Sequence, residues 1–209
     1  MKLFGVPFAG GSSYCYRNLE KVLDNKIDWE TLELPGRGRR SDETLLTNIE
    51  GMASDILAQI SCKTSENFAL FGHSMGGLIV HRVAQDLQGN CVKSNGLAHL
   101  FISGCRPHFK SRLHAARSDY TREELMDAVD KLGGLPKELR EDKELMAFFE
   151  PVLRADFGAV DCYIQDPSIR IAAPISVFYG IDDVEVMPED ARKWSGLSDS
   201  KEEFFSFEG

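Results

Sequence analysis

A short motif, Gly-His-Ser-Met-Gly at residues 72–76, constrains the fold of this chain more than any other feature. The apolar segment from Asn67 to Phe71 precedes it and is predicted as a strand. Apolar residues at every fourth position follow it and predict a helix. The glycines on either side permit the tight turn that such a junction needs. The sequence therefore predicts that Ser74 stands on a sharp corner between a strand and a helix.

The predicted position of Ser74 at this corner favours a role as a nucleophile. The N-terminus of the helix directs free N–H groups and the positive end of the helix dipole at the place where negative charge develops during acyl transfer. Because three fixed residues recur by chance, the prediction depends on the flanking strand and helix. A glycine-rich turn with an incidental serine is the alternative.

Short apolar runs alternate with longer segments of helical period along the 209 residues. This alternation is typical of βαβ units around a largely parallel sheet. The sequence therefore predicts one α/β domain over residues 1–209, with a mostly parallel sheet flanked by helices. Five runs are predicted as strands: Lys2–Pro7, Asp28–Leu34, Phe68–Phe71, Leu97–Ser103 and Pro174–Tyr179.

Between residues 106 and 170 the strand patterns give way to helical ones. A helix is predicted to begin at Thr121, because Thr121 and Glu124 can satisfy each other's backbone N–H groups. Glycines and a proline at 133–136 interrupt the pattern, and a second helical pattern runs through Leu153. We expect a core at 1–105 and 171–209 and a helical lid insertion at about 106–170, with ordinary packing helices as the alternative.

An oxyanion hole requires two backbone N–H groups aimed at the developing charge. Met75 is predicted to supply the first, because it follows Ser74 directly. The loop at 7–11 leaves the first strand with two glycines, which permit close backbone approach. Ala9 is the candidate for the second N–H group, with Phe8 as the alternative.

Composition excludes several classes of function. A net charge of −9 argues against non-specific binding of nucleic acid. No apolar run is long enough to cross a bilayer, and the first residues lack a secretory signal. We expect a cytoplasmic protein that binds neither membrane nor nucleic acid and keeps its thiols reduced. The five scattered cysteines lack metal-ligand spacing, and no cofactor is expected: Cys15, Cys62, Cys91, Cys105 and Cys162.

Six segments resemble those of the type II thioesterases of nonribosomal peptide and polyketide synthesis, which belong to the α/β-hydrolase superfamily. They are Pro-Phe-Ala-Gly-Gly at 7–11, Leu-Pro-Gly-Arg-Gly-Arg at 34–39, the serine motif at 72–76, Leu-Gly-Gly-Leu-Pro at 132–136, Leu-Arg-Ala-Asp-Phe at 153–157 and Gly-Ile-Asp-Asp at 180–183. The second and fifth are the more specific. The resemblance implies an α/β-hydrolase fold with a helical lid. It also implies hydrolysis of misprimed or stalled acyl groups from the phosphopantetheine arm of carrier proteins.

A serine hydroxyl needs a base to take its proton and an acid to orient that base. Asp183 is predicted as the acid because it follows the strand that ends at Tyr179, and Asp182 is the rival. In relatives a segment like the one ending at Gly209 leads into Gly-His-Phe, whose histidine is the base, so the resemblance implies a base directly after Gly209. The five histidines of the sequence are not expected to fill this role: His73, His81, His99, His108 and His114.

The resulting hypothesis is a serine thioesterase that acts as a monomer on acyl-loaded carrier proteins without a metal or redox cofactor. Its acyl pocket is expected in the lid, lined by Leu145, Phe148, Phe149 and Leu153. Two alternatives remain open: a carboxylesterase or lipase for small esters, and a carrier-binding module that has lost its base.

Carrier proteins are usually acidic, so an acidic enzyme needs a basic face to meet one. Two groups of basic residues are candidates for this face: Arg106, Lys110 and Arg112, and Arg37, Arg39 and Arg40. The favoured interpretation of both groups is that they are solvated surface residues or form internal ion pairs.

Overall fold

The computed structural model describes residues 1–23, 27–63, 67–89, 96–110, 116–133 and 142–208. Its strands form one six-stranded sheet in the order β2-β1-β3-β4-β5-β6, and every neighbouring pair is parallel. The strands are β1 (Lys2–Val6), β2 (Asp28–Thr31), β3 (Phe68–His73), β4 (Leu97–Ser103), β5 (Ile175–Gly180) and β6 (Glu202–Phe207). Because all strands run in one direction, their carboxyl ends meet at one edge of the sheet.

Six α-helices lie within the described residues: α1 (Arg17–Leu23), α2 (Ile49–Lys63), α3 (Met75–Gly89), α4 (Arg122–Lys131), α5 (Lys143–Cys162) and α6 (Pro188–Ala191). Helix α2 buries Ile49, Met52, Ala53, Ile56 and Ile60, which recur at helical spacing. These side chains join the apolar residues of the central strands in the main core. Within the described part of the chain, no helix is both long and apolar enough to span a membrane.

The α/β architecture predicted from the sequence is confirmed, with differences at the ends of the strands. The strand predicted over Asp28–Leu34 ends at Thr31, although Leu32 still donates its N–H to the Gly5 carbonyl at 2.9 Å. Strand β6 was not predicted. It lies at the edge of the sheet, and its half-buried and exposed side chains leave little apolar alternation to detect.

Helices α4 and α5, which fall within the expected insertion, lie between β4 and β5 in the chain. Helix α4 begins with the predicted capping box, in which Thr121 Oγ1 accepts the Glu124 N–H and the Glu124 carboxylate accepts the Thr121 N–H. A small core separate from that of the sheet holds α4 against α5, and it consists of Leu125, Met126, Val129, Met146, Leu153 and Phe157. Cys91, Arg112, His114 and residues 134–136, singled out in the sequence, lie outside the described residues.

Candidate active site

Ser74 occupies the turn between β3 and α3 in a left-handed backbone conformation. Its φ angle is 53°, and among the described residues it is the only non-glycine with a positive φ. This conformation costs about 1–2 kcal/mol for an L-residue. Two hydrogen bonds hold it: the Ser74 N–H donates to the Ser103 carbonyl and the Ser74 carbonyl accepts from the Gly77 N–H, both at 2.9 Å. The side chain is exposed and lines a cavity.

Two glycines make this turn possible. A Cβ atom on Gly72 would lie 2.1 Å from the Gly76 carbonyl oxygen, so no larger residue fits where β3 turns into α3. A Cβ atom on Gly76 would lie 2.3 Å from the Val6 carbonyl oxygen. Gly76 therefore lets the start of α3 approach the end of β1, which brings Met75 towards the loop that follows β1.

A cavity of about 930 Å³ opens at the carboxyl edge of the sheet beside Ser74. Of the four residues predicted to form an acyl pocket, Phe149 and Leu153 line it. Leu145 and Phe148 are exposed and are not among its described lining residues, so that part of the prediction is wrong. Both lie in the first two turns of α5. Apolar lining residues that were not predicted from the sequence include Leu78, Val129, Leu132, Phe157 and Val160.

Asp183 lies in the loop after β5, on the wall of the same cavity. Its Oδ1 atom accepts the N–H groups of Glu185 at 2.8 Å and Val186 at 3.0 Å. The carboxylate is half-buried and held by backbone, and its Oδ2 atom has no hydrogen bond within the described part of the chain. Asp182 also lines the cavity but is exposed. Asp183 therefore has the better-fixed carboxylate of the two.

The loop after β1 presents backbone N–H groups to the cavity. Gly11 donates its N–H to the Phe8 carbonyl at 2.8 Å, and Gly10 donates to a carboxylate oxygen of Asp156 at 2.7 Å. The N–H groups of Phe8 and Ala9 have no acceptor among the described residues, and both residues line the cavity. The Met75 N–H opens helix α3, where an amide has no intrahelical partner. Three residues that line the cavity thus carry N–H groups without an acceptor among the described residues.

Two histidines line the cavity. The His73 Nδ1 atom lies 3.2 Å from Ser103 Oγ, and its ring packs edge-on against Phe8. Burial lowers the pKa of His73, and the negative charge of Asp183 opposes that change. The His108 Nδ1 atom lies 3.2 Å from the Val160 carbonyl oxygen. Both rings are therefore engaged by groups other than the Ser74 hydroxyl.

The other described histidines lie away from the cavity lining. His81 is fully buried in α3, where it contacts the Trp194 ring and Gln165, and burial lowers its pKa to about 3. The His99 Nε2 atom lies 2.8 Å from Ser176 Oγ on the sheet. Among the described residues, no group of three His, Cys, Asp or Glu side chains is arranged to hold a metal ion.

The basic groups considered as a docking face differ in their surroundings. Arg37 is buried in an ion pair with Asp156. Arg40 bonds to two carboxylates, those of Glu43 and Asp55. These two arginines therefore form internal ion pairs, which is one of the two interpretations favoured from the sequence. Arg106 lines the cavity and also pairs with a carboxylate, whereas Lys110 is exposed.

Comparison with known proteins identifies the family. The model of the thioesterase domain matches residues 1–209. The gramicidin S biosynthesis protein GrsT of Aneurinibacillus migulanus is 30% identical over 198 residues, which cover 93% of this chain and 75% of GrsT. The medium-chain S-acyl fatty acid synthase thioesterase of Homo sapiens is 27% identical over 213 residues, which cover 100% of this chain and 78% of that protein.

A solved structure agrees with these relatives. YbtT, a type II thioesterase from the yersiniabactin pathway, is 26% identical and superimposes with a TM-score of 0.88 over 100% of this chain and 84% of its own. The agreement covers the parallel sheet, its flanking helices and the insertion between β4 and β5. The chain is thus an α/β hydrolase and belongs to the thioesterase family of serine hydrolases.

Proposed function

We propose that this protein is a type II thioesterase that hydrolyses acyl or aminoacyl thioesters on the phosphopantetheine arm of carrier proteins in nonribosomal peptide or polyketide synthesis. One observation carries the proposal. An exposed serine in a left-handed turn lines a cavity at the start of a helix, together with a fixed carboxylate and free backbone N–H groups. The names of GrsT and YbtT, which refer to gramicidin S and yersiniabactin, support the biosynthetic setting.

In the proposed reaction, Ser74 Oγ attacks the thioester carbonyl while a base takes the hydroxyl proton. The Met75 and Ala9 N–H groups, with Phe8 as the alternative to Ala9, stabilise the oxyanion. The C–S bond then breaks, and the base returns the proton to the departing phosphopantetheine thiolate. Water attacks the acyl-serine with the help of the same base, which releases the carboxylic acid and restores Ser74. These steps require no metal or redox cofactor.

We propose that Asp183 orients the base. The Ile181 N–H donates to the Phe207 carbonyl at 2.9 Å, so the end of β6 lies beside the loop that carries Asp183. Phe207 also lines the cavity. A residue that follows β6 therefore leaves the sheet at the edge where Ser74 and Asp183 lie. The free Oδ2 atom of Asp183 is available to accept an imidazole N–H.

Replacing Asp183 with Asn is expected to lower kcat for thioester hydrolysis by about 10³-fold or more, because the amide no longer stabilises the imidazolium or fixes its tautomer. The matched control is Asp182→Asn, which removes the neighbouring exposed carboxylate and is expected to leave kcat within about threefold. Steady-state hydrolysis of an acyl-N-acetylcysteamine thioester measures both. A large loss in the Asp182 variant alone would reverse the assignment.

We propose that the insertion over about 106–170 acts as a lid that holds the acyl group. Phe149 and Leu153 of α5, together with Val129 of α4, provide an apolar wall opposite Ser74. An apolar wall binds acyl chains in preference to water, and the shape of the cavity determines which acyl chains fit. We also propose that the protein works as a monomer in the cytoplasm, where thiols such as those of its four described, unpaired cysteines stay reduced.

The rival is an esterase that acts on small esters without a carrier protein. We expect kcat/KM to be at least about tenfold higher for an acyl group on phosphopantetheinylated carrier protein than for the same acyl group as a p-nitrophenyl ester, because the arm and the carrier add contacts that the free ester lacks. The acyl-N-acetylcysteamine thioester is the control that separates a preference for thioesters from recognition of the carrier. Equal or higher kcat/KM for the free ester would favour the esterase.

A further inference from the structure

A buried ion pair joins the insertion to the loop after β2. The Arg37 guanidinium places Nη1 2.5 Å from Oδ2 and Nη2 2.8 Å from Oδ1 of Asp156, which lies on α5. The two side chains are 4% and 0% exposed. Neither is among the described residues that line the cavity. The pair therefore has no direct access to a substrate.

The same carboxylate also reaches the loop after β1. The Gly10 N–H donates to Asp156 Oδ2 at 2.7 Å, and Arg37 Nη1 lies 3.5 Å from the Gly11 carbonyl oxygen. Gly10 has a φ angle of 76°, and a Cβ atom there would lie 2.8 Å from Leu153 of α5. One ion pair thus contacts two peptide groups of this loop, Ala9–Gly10 and Gly11–Ser12, and the loop is pressed against α5.

Stability alone does not account for this arrangement. A fully buried ion pair contributes little to folding compared with apolar side chains of the same size, because both charges lose their hydration. Burial raises the pKa of the Asp156 carboxyl, while the Arg37 guanidinium and the Gly10 N–H favour the ionised form. The pair instead fixes the conformation of the loop. The buried Asp156 carboxylate accepts the Gly10 N–H and so directs this N–H away from the cavity.

We propose that Asp156 and Arg37 are positioning residues for the oxyanion hole. By holding the Gly10 N–H inward, they orient the preceding peptide group so that the Ala9 N–H faces the cavity. Since Asp156 belongs to α5, the insertion and the oxyanion loop share one anchor. The inference rests on the proposed function, because it assigns to this loop the stabilisation of an oxyanion formed at Ser74.

The test compares Asp156→Asn with a matched variant on the same helix. Arg117 and Asp161 form a second buried ion pair of α5, with contacts of 2.9 Å and 2.7 Å, and it does not contact the loop after β1. Asp161→Asn thus removes a buried carboxylate charge of the same helix without touching Gly10. Urea unfolding of both variants measures the loss of stability that is common to them.

We expect Asp156→Asn to lower kcat for an acyl-N-acetylcysteamine thioester by about 10²-fold, the usual effect of losing one oxyanion donor, with KM within about threefold. Inhibition by an alkyl trifluoromethyl ketone, which forms a tetrahedral oxyanion, is expected to weaken by a similar factor. Asp161→Asn is expected to change neither quantity by more than about threefold. If Asp156→Asn fails to fold, Arg37→Lys keeps the charge but loses the two-point contact, and a drop in kcat of about tenfold is expected.

Labelling of Ser74 by a fluorophosphonate separates the two hypotheses. If the wild type is not labelled, the proposed function fails. If the wild type is labelled but Asp156→Asn, or in its place Arg37→Lys, keeps wild-type kcat and ketone affinity, the positioning role alone is wrong. Equal losses of kcat in the Asp156 and Asp161 variants would likewise overturn it, because they would reduce both ion pairs to a structural role.

Discussion

Replacing Ser74 with Ala is expected to lower kcat for thioester hydrolysis by about 10⁴-fold or more, and to abolish labelling by a fluorophosphonate. The alanine leaves no atom to attack the thioester, so only the binding and oxyanion contacts remain to accelerate hydrolysis by water. Stability should not fall, because the side chain is exposed and the bonds that hold the turn belong to the backbone of Ser74. The hydrolysis of acyl-loaded carrier protein, followed by mass spectrometry, measures the effect.

Two variants of cavity residues serve as controls. Ser103→Ala removes the other serine hydroxyl that lines the cavity, and we expect kcat to stay within about tenfold of the wild type. His108→Gln tests whether the base lies among the described residues, since loss of the base costs about as much as loss of the nucleophile. A 10³-fold loss in His108→Gln would assign the base to that residue. Substantial labelling of Ser74→Ala would place the reactive nucleophile at another residue, whereas a wild type that is never labelled would favour the binding-module alternative.

Replacing Gly72 with Ala is expected to destabilise the protein by about 4 kcal/mol or more, which is a large part of the stability of an ordinary domain. The new Cβ atom would lie 2.1 Å from the carbonyl oxygen and 2.2 Å from the carbonyl carbon of Gly76. Both atoms belong to backbone, so no side-chain rotation relieves the overlap, and β3 must separate from α3. Urea unfolding followed by circular dichroism measures the change.

The matched control for this substitution is Gly196→Ala. Gly196 has a φ angle of 87°, and no described atom lies within 4 Å of the position of its Cβ. Alanine there meets backbone strain without steric overlap, and a loss of about 1–2 kcal/mol is expected. If Gly72→Ala were no more harmful than this control, the tight contact between β3 and α3 would not be a requirement of the turn.

The order and type of the main elements follow from the sequence because buried strands and amphipathic helices differ in their apolar spacing. Strand β4 was predicted with its observed bounds, Leu97–Ser103, since polar and glycine residues close a short apolar run. Strand β6 escaped prediction because an edge strand buries few side chains and so leaves a weak pattern. The strand that escaped prediction is thus the one strand of the described sheet without a buried residue.

The turn at Ser74 could be predicted because local backbone geometry dictates its residues. The strained φ angle and the two flanking glycines are local requirements, and they leave a short, recognisable motif.

The contact between Asp156 and Gly10 joins residues 146 positions apart and leaves no local pattern. Arg37 and Asp156 stand in the two segments most specific to the family resemblance, but only the folded structure shows that they meet. Leu145 and Phe148 were misassigned for a related reason, because the apolar pattern of one helix does not tell which of its residues the rest of the fold brings to the cavity.

The existence of two separate apolar cores has a consequence for how such enzymes diverge. Leu153 and Phe157 belong to the small core between α4 and α5, whereas Ala159 and Tyr163, which follow in the chain, belong to the core of the sheet. Mutations in the first set alter the shape available to an acyl chain without repacking the core of the sheet. The pocket can therefore be reshaped while the sheet that carries the nucleophile is kept.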